Sequence, residues 1–155
     1  MSVVTNDDYV TELLVDTGLI TRSQLERARE EAGPERGVIQ ILIDQGAVND
    51  EDVSRSLASA ASMDFVDLGQ IAIPQEIINL LPSQTARRYK IIPVAITDSG
   101  LIMATSNPLD FDTFDAVGHL LKRDIDFVCT TPGQIGTALI WVIMLILYAH
   151  LIPVL

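Results

Sequence analysis

IIPVAITDSGLIMAT, residues 91–105, is the stretch that decides the fold of this 155-residue chain. Two apolar runs, Ile91–Ile96 and Leu101–Thr105, flank the sequence Asp-Ser-Gly at 98–100. Short apolar runs rich in β-branched residues read as strands, and a polar segment ending in glycine is typical of the turn between them. The stretch therefore predicts a β-hairpin.

The segments on either side of the hairpin predict further strands and helices. They are a short strand at 64–68, a helix from Pro74 through Leu81, a helix from Asn107 through Leu121 and a last strand at 125–130. Alternating strand and helix signals of this length are typical of a small α/β layer. We assign that layer to residues 63–134.

The first 62 residues contain an internal repeat. A shift of 28 residues places 12–29 over 40–57 and pairs Leu14 with Leu42 and Gly18 with Gly46. Each copy reads as a helix ended by glycine and followed by an N-cap that opens a second helix. The caps are Thr21 with Gln24 in the first copy and Asn49 with Asp52 in the second. The repeat predicts two tandem helical hairpins over residues 1–62.

Charge divides the chain unequally. The 10 basic and 21 acidic residues, a net charge of −11, all lie at or before Asp126, and the 29 residues from Phe127 to Leu155 carry none. A net charge of −11 repels phosphates, so nucleic acid is excluded as a partner. One cysteine, Cys129, cannot form an internal disulfide, and acidic residues interrupt any signal-peptide pattern near the start, which favours a reducing cytoplasm.

The C-terminal segment 135–155 predicts a transmembrane helix. Its 21 uncharged residues would span roughly 31 Å as a helix, about the thickness of bilayer hydrocarbon. The alternative is a helix buried in the soluble domain or against other subunits. Lys122 and Arg123 precede the segment, which places residues 1–134 on the cytoplasmic side of a bacterial inner or intracytoplasmic membrane. The fold class is thus α+β: two helical hairpins, a small sheet layer and an apolar C-terminal helix.

Residues 9–134 resemble a known family. Seven segments carry the resemblance. In chain order they are Leu14…Gly18-Leu19-Ile20-Thr21…Gln24-Leu25, Phe65-Val66-Asp67-Leu68, Leu81-Pro82, Ala86-Arg87-Arg88-Tyr89, Ile92-Pro93-Val94, Leu101-Ile102-Met103-Ala104 and Asn107-Pro108-Leu109-Asp110. In their order and spacing they are similar to the MshEN-type N-terminal domain of type II secretion and type IV pilus assembly ATPases. The resemblance implies the fold and a link to such a machine.

Some members of that family bind cyclic di-GMP through two copies of RLGxxLxxxG followed by Leu, Leu and Gln. In this chain the motif is degenerate: its matching positions are Leu14, Gly18 and Leu25 in the first copy and Leu42, Gly46 and Leu57 in the second, with Arg36 next to the lost arginine position. The Arg-Leu-Gly starts have become residues 9–11 (YVT) and 37–39 (GVI). Since the polar contact residues are missing, the pattern argues against cyclic di-GMP binding.

No catalytic constellation occurs in the sequence. There is no phosphate-binding loop, and the only lysines are Lys90 and Lys122. The acidic residues at 110, 112 and 115 are interpreted as helix capping, with no metal site. His150 follows an apolar run that also contains Trp141, a pattern similar to bacterial antenna helices, so it is a candidate tetrapyrrole ligand. We otherwise expect no cofactor and no enzyme activity.

The function predicted from these features is a membrane-tethered structural or assembly subunit. It would dock on the cytoplasmic face of a larger bacterial membrane complex, a photosynthetic reaction-centre or antenna complex or a secretion or pilus machine, with membrane protein subunits and lipid as partners. Two alternatives stay open. One is a cyclic di-GMP sensor with a degenerate site, and the other is a motor-less regulator of a secretion or pilus system.

Overall fold

The computed structural model describes residues 6–151, apart from the side chains of Asn6 and His150. The chain divides into two compact units, residues 1–57 and 58–155. The predicted α+β class is confirmed: the described residues form helices, a three-stranded sheet and a C-terminal apolar helix.

The first unit is a set of packed helices. They are α1 (Asn6–Asp16), α2 (Arg22–Glu31), α3 (Val38–Asp44) and α4 (Asp50–Ala60), the last of which begins in the first unit and ends in the second. Helix α3 packs against both α1 and α2. The core between them is apolar and centres on Leu14, Leu25, Ile41 and Leu42, each at most 1% exposed.

The ends of these helices follow the predicted caps. Gly18 and Gly46 have φ of +78° and +74°, a conformation that residues with a Cβ rarely adopt. In both copies the glycine N–H and the next N–H close back onto the helix carbonyls in a Schellman motif. Thr21 forms the full capping box with Gln24, and Asn49 and Asp52 exchange the equivalent pair of bonds.

The second unit contains a sheet with helices and turns around it. Its elements are a 3₁₀ turn (Leu68–Gln70), α5 (Gln75–Ile78), α6 (Ser83–Tyr89), β1 (Ile91–Thr97), β2 (Gly100–Thr105), α7 (Phe111–Leu121), β3 (Ile125–Cys129) and α8 (Pro132–Leu151). Strands β1 and β2 are antiparallel, with Ile91 opposite Thr105. Strands β2 and β3 are parallel, with Leu101 opposite Ile125. The predicted hairpin is therefore confirmed and forms two of the three strands.

Adjacent residues of the strands pack into two different apolar clusters. Ile91, Leu101 and Met103 pack with residues of α6 and α7. Ile92 and Ala104 pack instead with Ile135 and Val142 of α8. Because side chains alternate across a strand, one short sheet supports helices on both sides.

The predicted strand at 64–68 is wrong in extent. Only one bridge forms, between Phe65 and Cys129, with the Val66 N–H donating to the Cys129 carbonyl at 2.8 Å. Asp67 then accepts a bond from the Gly69 N–H at 2.9 Å, which starts the 3₁₀ turn. That local side-chain bond ends the strand pairing after two residues.

Two helix boundaries also differ from the prediction. Helix α5 ends at Ile78, and a separate helix, α6, follows Pro82. Proline disfavours the helical conformation of the residue before it, so a helix continuing to Leu81 is disfavoured. Helix α7 begins at Phe111 because the Asp110 side chain accepts from the Thr113 N–H at 3.1 Å and caps it there.

Candidate functional site

The apolar residues of the degenerate motif lie inside the first unit. Leu14, Leu25 and Leu42 are each 0% exposed and pack in its core, and Leu57 is half-buried against it. A leucine that fills the core of its own helices has no surface left for a ligand. The motif positions that match the family therefore serve helix packing and turns in this structure.

The positions that would carry polar ligand groups are filled differently. At the first start, Val10 is 3% exposed and Thr11 is 1% exposed, and the Thr11 hydroxyl donates to the Asp8 carbonyl at 3.0 Å. Tyr9 stands where the motif has arginine and is 44% exposed. At the second start, the N-cap of α3 is Gly37, which has no side chain that could contact a ligand. No guanidinium occupies either motif arginine position.

Arg36, the nearest substitute, is held by an acidic residue. Its guanidinium forms an ion pair with Asp44, which also accepts from the Gln40 side chain at 2.8 Å. The bond from Gln40, together with that from Arg36, lowers the pKa of the Asp44 carboxyl. A phosphate bound to Arg36 would have to displace a carboxylate that is already paired.

Acidic residues also hold Arg29, which occupies the position of the later motif leucine in the first copy. Arg29 pairs with Glu26 at 3.1 Å and with Glu12 at 3.3 Å, while Arg22 donates to Glu12 at 2.8 Å. The hydrogen bond from Arg22 is the main cause that lowers the pKa of Glu12. The surface around the motif thus carries carboxylates beside each of these arginines, which disfavours an anionic ligand.

Helix α8 has one face in the core of the second unit. Ile135 is 2% exposed and Val142 is 5% exposed, and both pack with Ile92 and Ala104 of the sheet. The start of the helix is tied down by Gln134, whose side chain accepts from the Leu68 N–H at 2.8 Å and donates to Asp67 at 2.6 Å. The sequence pattern did not predict these contacts. Ile135 and Val142 are seven residues apart, however, and therefore lie on the same face of a helix.

The opposite face of α8 is apolar and exposed. We call it the α8 stripe; its members are Ile140, Trp141, Met144, Leu147, Tyr148 and Leu151, between 56% and 77% exposed. At about 100° per residue they fall within an arc of roughly 120° on one side of the helix. Among described residues after Val142, none of α8 is fully buried.

Two shallow cavities adjoin the stripe. One of about 300 Å³ lies between the 3₁₀ turn and the first turns of α8, lined by Leu68, Gly69, Gly133, Gln134, Thr137, Ala138 and Trp141. The other, about 220 Å³, is lined only by Trp141, Met144, Leu145 and Tyr148. Trp141 borders both, so they follow the same side of the helix.

The transmembrane helix predicted from the sequence corresponds to α8. The window Pro132–Ala149 is apolar enough and long enough to cross a bilayer, with a mean hydropathy of 1.7, and 11% of it is buried. Length and composition alone do not distinguish such a helix from other apolar helices. Residues 152–155 and the side chain of the candidate ligand His150 lie outside the described part of the chain.

The comparisons with known proteins agree with this fold. The profile of the MshEN domain matches residues 61–143. The type IV pilus assembly ATPase PilB of Thermus thermophilus is 31% identical over 143 residues, 90% of this chain, and the bacteriophage adsorption protein B of Escherichia coli K12 is 23% identical over 128 residues. This chain spans 16% and 17% of those relatives, respectively.

The solved structure of MshE with cdg superposes with a TM-score of 0.71, at 25% identity, over 85% of this chain and 96% of that chain. The profile match ends at residue 143, next to Val142, which is the last buried residue of α8 among those the structure describes. The profile match therefore covers the three strands and the anchored part of α8. The chain belongs to the MshEN domain family, as the resemblance in its sequence predicted.

Proposed function

We propose that this chain is a non-catalytic, membrane-tethered structural or assembly module that docks on the cytoplasmic face of a bacterial pilus or secretion complex. The observation that carries the proposal is the two-faced α8, which closes the domain core with one side and presents an uncharged apolar stripe on the other. The similarity to PilB favours a pilus or secretion host over a photosynthetic one.

The remainder of the site supports binding rather than catalysis. Three of the four motif leucines are buried and Leu57 is half-buried, and the nearby Arg29 and Arg36 are paired with carboxylates. Within the 155 residues there is no phosphate-binding loop motif. What the domain offers to a partner is therefore an acidic surface and an apolar helix.

Removal of residues 144–155 tests the membrane tether. The shortened chain keeps Ile135 and Val142, so we expect it to fold and to lose only the helical circular dichroism signal of residues 144–151. In cell fractionation the full chain should sediment with membranes, and the shortened chain should stay in the soluble fraction. A full chain that is soluble and monomeric without detergent would contradict the proposal.

A second candidate function, cyclic di-GMP sensing, is favoured by the MshE structure, which contains the ligand. Calorimetric titration of the full chain tests it, since residues 1–134 alone would lack the core side chains Ile135 and Val142. We expect no heat at high micromolar ligand because the guanidinium groups are absent or paired. Micromolar affinity, lost in the variant Arg36→Ala, would support the sensor instead.

A third candidate, a motor-less regulator, is favoured by the 31% identity to PilB. Such a regulator would occupy the place of the ATPase's own domain of this type. Co-purification of the tagged chain with the PilB-type ATPase of the same organism, reduced by added MshEN domain of that ATPase, would favour it. Co-purification with membrane subunits in cells lacking that ATPase would favour the assembly module.

A further inference from the structure

We propose that α8 lies in the plane of a lipid bilayer surface, with the α8 stripe in the headgroup and acyl boundary, and does not cross the bilayer. The inference rests on the membrane tether proposed above and specifies its geometry. It differs from the transmembrane helix predicted over residues 135–155.

The anchored half of α8 excludes a crossing that uses the whole helix. Ile135 and Val142 fill the cluster around Ile92 and Ala104, and Gln134 is bonded to Asp67. Strands β1 and β2 and the 3₁₀ turn lie next to that half. To place residues 135–151 across hydrocarbon, the domain would have to enter the bilayer with its charged surface or release its own core, and both are costly.

The shape of the stripe fits lipid better than it fits another helix. Six large side chains cover an arc of roughly 120°, whereas a paired helix contacts a narrower seam and uses flanking charges to fix its register. Here no charged residue occurs anywhere from Phe127 to Leu155. A broad uncharged surface matches acyl chains and supplies no contacts that would select a second copy of this chain.

The aromatic residues of the stripe also suit an interface. Trp141 and Tyr148 are 61% and 66% exposed and lie seven residues apart on the same face. Each has an apolar ring and one polar group, the combination enriched where hydrocarbon meets water. In a crossing helix they would lie at different depths, whereas in an in-plane helix both lie at the boundary.

The net charge predicts which force drives the contact. A protein of net charge −11 gains nothing overall from an anionic surface, so the apolar stripe must supply the binding. Partition into vesicles should then be insensitive to salt and should not increase when phosphatidylglycerol is added to phosphatidylcholine. Binding that requires phosphatidylglycerol and is lost at high salt would overturn the proposal.

Trp141, the only tryptophan, reports depth directly. The full chain is mixed with phosphatidylcholine vesicles containing lipids brominated at different acyl positions, and fluorescence quenching is measured. The double variant W141F/L151W moves the tryptophan ten residues along the stripe. An in-plane helix gives the same shallow depth for both proteins, whereas a crossing helix places the second tryptophan up to about 15 Å deeper.

A matched pair of variants tests the face that contacts lipid. Leu147→Glu places a charge in the stripe, and Ala149→Glu places the same charge on the opposite, exposed side of the helix. We expect at least about a tenfold loss of vesicle partition for the first and little change for the second. Equal losses for both would indicate a helix surrounded by lipid and would overturn the in-plane geometry.

The remaining outcomes distinguish the in-plane geometry of α8 from the membrane tether as such. If the full chain binds vesicles but the two tryptophan depths differ, the tether stands and the in-plane helix is wrong. If it binds neither type of vesicle, both proposals fail. If it instead forms dimers that Leu147→Glu dissolves, a second copy covers the stripe and the lipid contact is wrong.

Discussion

At the scale of single residues, the glycine that begins β2 shows how closely the backbone packs at the end of the hairpin. Gly100 has a φ of +151°, and a Cβ there would lie 2.2 Å from the Asp124 carbonyl oxygen. That oxygen accepts from the Leu101 N–H at 3.0 Å, so the backbone there is held in place. The sequence signal Asp-Ser-Gly predicted the turn but not this approach, because Asp124 is distant in sequence.

Gly100→Ala should therefore destabilise the second unit by about 2 kcal/mol or more, since backbone must move to admit the methyl group. Gly118→Ala, in the interior of α7 with open space around the added Cβ, should stabilise it by about 0.5–1 kcal/mol. Urea unfolding followed by circular dichroism measures both. A neutral Gly100→Ala would contradict the close contact.

The acidic residues around the degenerate motif predict a pH dependence. The pKa values of Glu12 and Asp44 are lowered in the folded chain, mainly by the Arg22 bond and the Gln40 bond, respectively. A carboxyl whose folded pKa is below its unfolded value stabilises the protein above the unfolded pKa, and this contribution is lost as pH falls through the folded pKa.

We accordingly expect the thermal unfolding midpoint of the first unit to fall as the pH is lowered below the ordinary glutamate value of 4.5. The double variant E12Q/D44N should have a smaller dependence over that range. Added salt should reduce the difference, because both carboxyls are exposed to solvent. An unchanged pH profile in the variant would show that these pairs contribute nothing measurable.

At the scale of the element, α8 shows where sequence patterning was insufficient. Every residue of its C-terminal two thirds is uncharged, so composition gave no contrast between a buried and an exposed side. In an amphipathic helix, the polar residues on one face indicate that the opposite, apolar face is the one packed on the core. Here only the packing of Ile135 and Val142 on the sheet distinguishes the two.

Truncation on the two sides of α8 should therefore have different effects. Ile135→Ala removes a fully packed side chain and should cost about 2–5 kcal/mol of unfolding free energy. Leu147→Ala, which is 56% exposed, should cost less than about 0.5 kcal/mol. Denaturant unfolding of the full chain compares them, and similar losses would show that α8 is covered on both sides.

At the scale of the whole molecule, the single cysteine reports opening of the second unit. Cys129 is 0% exposed in β3, and desolvation raises its pKa to about 11. At pH 8 only about a thousandth of such a thiol is thiolate, the reactive form. The native chain should therefore resist a thiol reagent, and denaturant should release one reactive thiol per chain.

The variant Ile135→Ala should label faster than the native chain because it lowers the stability of the unit that buries Cys129. Leu147→Ala serves as the control and should label at the native rate. Reaction of the native protein as fast as the unfolded one would contradict the buried environment of the thiol.

The sequence by itself determined the features that local interactions specify. These are the β-hairpin at 91–105, the glycine-ended helices with their caps, and the division between an acidic domain and an uncharged C-terminal segment. Each depends on residues within a few positions of one another, so the pattern was readable without a fold.

Only the tertiary structure decided which apolar surfaces are buried. It reduced the strand at 64–68 to one bridge, separated α6 from α5, and placed one side of α8 in the core. The physical reason is that burial depends on partners far away in sequence, such as Ile92 for Val142, and an apolar side chain looks the same in a sequence whether or not such a partner exists.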